Sequence, residues 1–179
     1  MVTAAYRLPP ASLFAAAESV SGADPDEVSH NRRVIQDTLD SFGIDAEVGD
    51  AARGPRVTLY EVSPARGVKV ESISAITNNL AMELAAVSLR VLTPVPGQDC
   101  VGIEVPNRRP DTVTLGTLLR GGAWAGTKAA IPLLMGRNVR GEDVILDLAV
   151  APHLLIAGAT GSGKSRSEEH TSELQSPNT

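Results

Sequence analysis

A chain of 179 residues with 42% hydrophobic side chains can bury one ordinary core or a little more, and the 3% aromatic share means Leu, Val, Ile and Ala must build it. A net charge of −5 brings no polybasic tail for nucleic acid or membrane, though it does not by itself exclude nucleic acid. The lone Cys100 excludes an internal disulfide framework, no apolar run approaches the ~18 to 20 residues needed to span a bilayer, and the N-terminus lacks the basic-then-apolar pattern of a signal peptide.

In chain order, residues 1–26 read as the end of a linker. Tyr6-Arg7-Leu8-Pro9-Pro10 cannot be helical through its prolines, and Ser12 is placed to cap a short helical turn over Leu13 to Val20 before Ser21-Gly22-Ala23-Asp24-Pro25 breaks it. A helix is predicted from about Asp26 to Phe42, with Val34, Ile35, Leu39 and Phe42 at helical spacing and Gly43 as its stop. Strands follow at Ile44–Val48 and Arg56–Val62, punctuated by Gly54-Pro55. A turn over 63–67 leads to a second helix from about Lys69 to Ala86, with Ile73, Ile76, Leu80 and Leu84 as its buried stripe. Ser88–Pro94 and Cys100–Val105, joined by the turn Pro96-Gly97-Gln98-Asp99, read as a hairpin. Cys100 reads as a small buried hydrophobe. Thr114–Leu119 begins a short helix that Gly121-Gly122 ends, and Trp124 is expected to pack rather than stack on a ligand. Arg32-Arg33 and Arg108-Arg109 read as solvated surface charge.

The pattern changes near residues 125–130. Ile131–Met135 and Asp143–Leu148 suggest another hairpin, around Gly136-Arg137-Asn138. It leads into a short apolar run, Leu154 to Ala157, that reads as a buried strand, and His153 just before it reads as structural. Gly158-Ala159-Thr160-Gly161-Ser162-Gly163-Lys164-Ser165 then fits G-x-x-x-x-G-K-[ST], the phosphate-binding loop. Gly158, Gly161 and Gly163 let the backbone bring its N–H groups close to phosphate oxygens, Lys164 adds a charge that reaches the β- and γ-phosphates, and Ser165 offers a hydroxyl to Mg2+. The first turn of a following helix would add its positive dipole end.

Several segments in order resemble the N-terminal part of an FtsK/SpoIIIE-type DNA translocase motor. They are Tyr6-Arg7-Leu8-Pro9; Gly54-Pro55 with Thr58, Glu61 and Val62, then Gly67-Val68-Lys69; Val95-Pro96-Gly97 followed by Gly102-Ile103-Glu104-Val105-Pro106-Asn107; Leu134-Met135-Gly136-Arg137-Asn138; and Pro152-His153-Leu154-Leu155-Ile156-Ala157 running into the phosphate loop. The resemblance implies an α/β chain. A small α+β domain, the family's α domain, would occupy 27–124, and the first strands of a P-loop RecA-like α/β domain would occupy 125–165. It also implies an ATPase with ATP and Mg2+ as cofactors, double-stranded DNA as partner and a homo-hexameric ring. The expected roles are chromosome partition at cell division, sporulation or conjugation-like transfer, by a cytoplasmic motor portion whose full-length protein is anchored in the cell membrane. This chain carries no membrane segment of its own.

After Ser165 the composition jumps. Arg166 to Thr179 contains no Ala, Val or Gly, only Leu174 is clearly apolar, and Arg166 with Glu168, Glu169 and Glu173 accounts for −2 of the −5 charge. Such a tail cannot supply the apolar face with which the helix after a phosphate loop packs on its sheet. Arg166 to Ser176 resembles the in-frame translation of a common sequencing-library adapter (AGATCGGAAGAGCACACG onward), so 166–179 reads as a non-native tail; a genuine acidic, disordered C-terminus is the rival, and the codons decide between them. On this reading the chain ends as a fragment before the second acidic motif, any arginine finger and the DNA-contacting loops, no complete catalytic set is present, and the fragment alone is expected to be inactive. Two other classes stay open: a non-enzymatic ring-forming or partner-docking module, and an unrelated P-loop NTPase sharing only the loop.

Overall fold

The computed structural model describes residues 10–15, 25–95 and 97–159. Helix α1, Pro25–Ser41, starts with proline at its first position and Asp26 and Glu27 in its first turn, where the exposed N–H groups favour acids. It stops where Gly43 turns to φ +65°. Gly43 N–H then donates to Asp40 and Ile44 N–H to Leu39, which satisfies carbonyls that the helix leaves open and folds Ile44 back onto Leu39 in the core. Phe42 lies past this turn and is half exposed, so it is not part of the buried stripe expected of it.

Strands β1 (Ala46–Arg53), β2 (Val57–Pro64), β3 (Arg90–Leu92) and β4 (Val101–Pro106) form an antiparallel sheet in the order β1-β2-β4-β3. The expected end of the first strand at Val48 is too early. A register shift between Val48 and Ala51 absorbs Gly49 and Asp50 as a bulge, and pairing resumes to Arg53 opposite Thr58. The expected helix over 69–86 is two helices, α2 (Val70–Ala75) and α3 (Thr77–Glu83), broken at Ile76. Thr77 Oγ1 donates to the Ser74 carbonyl at 2.6 Å, the side-chain competition that weakens helix interiors, and Asn78 and Asn79 follow. The predicted stripe survives the break: Ile73, Ile76, Leu80 and Leu84 are all buried.

Period-two alternation places Tyr60 and Val62 of β2 and Val101, Ile103 and Val105 of β4 on the sheet face that meets α1, α2 and α3. With Ile35 and Leu39 they form the core, aliphatic except for Tyr60. On the opposite face, Leu59 and Val95 close over Gly102. A methyl on Gly102 would lie 2.7 Å from Val95 Cγ2 and 2.8 Å from Leu59 Cδ1, so only glycine fits that packing.

Helix α4 (Leu115–Leu119) is capped by Thr114, whose hydroxyl accepts from Thr117 N–H, and it buries Leu118. Helix α4 ends before the extended Gly121, as expected, and a further short helix, α5 (Gly122–Ala125), follows; it packs against α4 and the second hairpin with Trp124 half buried. Residues 11–13 make a single 3-10 turn lying on α4, where Arg120 donates to the Phe14 carbonyl at 3.2 Å; the remainder of the turn predicted over 13–20 lies outside the described residues. Strands β5 (Pro132–Arg137) and β6 (Asp143–Asp147) pair antiparallel as expected, but the turn lies at 138–142: Gly136 and Arg137, expected in it, pair with Val144 and Asp143 past an irregularity after Leu134. The whole is α+β with both sheets antiparallel.

Candidate functional site

The phosphate loop is approached along a short arm that leaves β6. Asp147 anchors its base. Its carboxylate accepts N–H bonds from Ala130 at 3.0 Å, Ile131 at 3.1 Å and Ala149 at 3.0 Å. These bonds, the one from Ile131 foremost, stabilise the ionised form and hold the acid below the usual aspartate range. Leu148 N–H donates to the Ile131 carbonyl, and Val150 and Ala151 N–H both donate to the Asp147 carbonyl. The chain thus closes the hairpin and turns away from it in one step.

Beyond Ala151 the arm differs from expectation. Leu154 to Ala157 forms no strand among the described residues, and Leu155 is 90% exposed. A run apolar on both faces is the mark of a strand buried within a parallel sheet, and it needs neighbours on each edge that the described residues do not supply. His153 is exposed. Of the loop, Gly158 and Ala159 are described, exposed and without regular structure; Thr160, Gly161, Ser162, Gly163, Lys164 and Ser165 lie outside the described residues. Their candidacy rests on the residue pattern and its chemistry. Among the described residues no group of three or more His, Cys, Asp or Glu is placed to hold a metal ion, and no helix is long and apolar enough to cross a membrane.

Within the α+β unit lies a polar knot that sequence reasoning did not single out. Asn107, 9% exposed, accepts at Oδ1 from Thr58 Oγ1 at 2.8 Å and donates from Nδ2 to the Gly54 carbonyl at 2.9 Å, while its own N–H donates to the Arg56 carbonyl. Asp111 N–H reaches the Pro55 carbonyl, and Arg53 donates to the Arg109 carbonyl at 3.2 Å. The turn 53–56 and the segment 107–111 are thereby fixed to each other. The separate sequence signals Gly54-Pro55, Thr58 and Pro106-Asn107 are one structure. The only advance hint of it was their joint occurrence, because each bond spans about fifty residues.

Arg108 and Arg109 are exposed, as are Arg32 and Arg33, in keeping with solvated charge. Cys100 is half buried rather than fully buried, its Sγ 3.5 Å from Gln98 Oε1. Partial burial, with Glu61 nearby, pushes the thiol up from its ordinary value.

The model of the FtsK alpha domain matches residues 8–107, more than half of the chain, and that of the FtsK/SpoIIIE family matches 114–168. The chain belongs to the FtsK/SpoIIIE family. Curated FtsK relatives agree. Proteins named DNA translocase FtsK from Borreliella burgdorferi and Clostridium acetobutylicum are each 40% identical, over 78% and 89% of this chain. One of the same name from Chlamydia muridarum is 44% identical over 78% of it. The chain spans about a fifth of the length of these FtsK relatives, 18%, 21% and 18% respectively.

Proposed function

We propose that this chain supplies the α domain (27–124) and the first part of the RecA-like domain (125–165) of an ATP-dependent translocase acting on double-stranded DNA in chromosome partition at cell division. The observation that carries the reading is the conjunction of an FtsK alpha domain match over 8–107 with a complete phosphate-loop pattern at Gly158–Ser165, directly after the arm fixed by Asp147. Backbone N–H groups from Gly158 through Ala159, Thr160, Gly161, Ser162 and Gly163 would cradle the phosphates. Lys164 would place its ammonium against them, and the Ser165 hydroxyl, a hard oxygen donor, suits Mg2+. When bound, Mg2+ supplies charge neutralisation on the phosphate oxygens. The family resemblance also implies the rest of the proposal: a homo-hexamer around DNA, a motor portion in the cytoplasm and an anchor in the cell membrane elsewhere in the full-length protein.

The 179-residue polypeptide alone should bind or turn over nucleotide poorly, since the Leu154–Ala157 run leading to the loop forms no strand among the described residues. Steady-state phosphate release should not exceed that of Lys164→Ala, and clear release above that control would overturn this. A second reading, a ring-forming module without catalysis, draws on the self-contained core of residues 35–105. It predicts that residues 26–122 assemble without nucleotide, which native mass measurement would detect.

A further inference from the structure

We infer that Arg140 fastens the β5–β6 hairpin to the α+β unit so that the two move as one body.

The hairpin tip is rigid in its own right. Asn138 Oδ1 accepts from the N–H groups of Arg140 at 2.9 Å and Glu142 at 3.0 Å, its Nδ2 donates to Glu142 Oε2 at 2.8 Å, and Gly141 takes φ +81° to complete the turn. This local cage presents Arg140 to the open face of the four-stranded sheet. One terminal nitrogen of its guanidinium, Nη2, reaches Glu61 Oε1 on β2 at 3.1 Å and Gln98 Oε1 in the β3–β4 turn at 2.8 Å, partners 79 and 42 residues away in sequence. A single side chain therefore ties the hairpin to two separate elements of the other unit.

Packing reinforces it. The Val139 carbonyl lies so close over Gly54 that a methyl there would stand 2.5 Å from it, and Gly141 sits where a methyl would be 3.2 Å from the Arg53 carbonyl. The tip thus seats on the turn 53–56, the same turn that Asn107 holds to β2 and β4. Beside the tip, a methyl on Gly121 would stand 2.7 Å from Asp143 Oδ2, and Asp143 is ion-paired with Arg137 at 2.7 Å. The tip end of the hairpin is thus held on two sides. Past Ala151 the arm has no such ties: among the described residues, no hydrogen bond joins 152–159 to the α+β unit.

Residual dipolar couplings on the 15N-labelled chain test this directly. In the native sequence one alignment tensor should fit the amides of β1–β4 and β5–β6 together. Arg140→Ala, and Gly54→Ala through the displaced Val139 carbonyl, should each give the hairpin its own tensor, with alignment reduced about twofold or more, while the β1–β4 amides keep their native couplings. Two tensors in the unsubstituted chain would overturn the inference without any variant being needed. So would a common fit that survives both substitutions.

Discussion

Replacing Asn107 with Ala probes the knot that joins the sheet to the turn on which the hairpin sits. The variant keeps the backbone bond from residue 107 N–H to the Arg56 carbonyl. It removes the acceptor of Thr58 Oγ1 and the donor to the Gly54 carbonyl, both in buried surroundings. A buried polar group stripped of its partner costs about 1–3 kcal/mol, so the two together should cost about 2–4 kcal/mol, against about 1 kcal/mol for losing a bond whose ends can re-solvate. For a cooperative unit of this size each kcal/mol corresponds to about 4–8 °C in Tm, giving a fall of about 8–30 °C. Urea unfolding followed by far-UV circular dichroism measures the free energy, and Thr58→Val completes a double-mutant cycle. Because Thr58→Val removes the donor that Asn107→Ala would strand, the double variant should lose less than the sum of the singles by at least about 0.5 kcal/mol. A loss below about 1 kcal/mol for Asn107→Ala, or strict additivity in the cycle, would refute the reasoning.

Two other substitutions test neighbouring features. Tyr60 is fully buried, and its hydroxyl makes no hydrogen bond of proper geometry; burial raises its pKa, and the nearby Asn31 amide offsets this only in part. Tyr60→Phe should therefore leave stability unchanged or raise it by up to about 1 kcal/mol in the same urea experiment, and a loss above about 1 kcal/mol would show that the hydroxyl is bonded. Asp147 carries a lowered pKa because three N–H groups favour its charged form. Its contribution to hairpin stability should be fully present above the ordinary aspartate pKa of about 3.9 and lost as pH falls through its lower folded value. Amide shifts of Ala130, Ile131 and Ala149 across that range follow the loss, and their insensitivity to pH, or an unchanged titration in Asp147→Asn, would contradict the assignment.

Local chemistry made some elements readable in advance. The stripe of Ile35 and Leu39 gave α1, the stripe from Ile73 to Leu84 gave the buried face that α2 and α3 share, and the strand-like runs gave both hairpins, though Gly136 and Arg137, read as a turn, lie within β5. Where the reading slipped, a tertiary or geometric effect outweighed the pattern. Gly49-Asp50 looks like a strand end but is a bulge within a longer ladder. Thr77 interrupts a stripe whose burial is otherwise continuous. The Leu154–Ala157 run is apolar enough for a central strand, yet a strand is completed by its neighbours. Asn107 and Arg140 are isolated polar residues with partners 42 to 79 residues away, and no periodicity or spacing announces such contacts. The candidate phosphate loop Gly158–Ser165 is read from its glycine placement and one lysine alone, since residues 160–165 lie outside the described residues.

The most direct measurement is ATP hydrolysis by the full-length motor containing these residues, with and without duplex DNA, beside its Lys164→Ala variant. Phosphate release should rise when duplex DNA is added and fall to background in the variant, if Lys164 holds the phosphates as proposed. Release that ignores DNA, or that persists undiminished in Lys164→Ala, would contradict the assignment of Gly158–Ser165 as the ATP site of a DNA translocase.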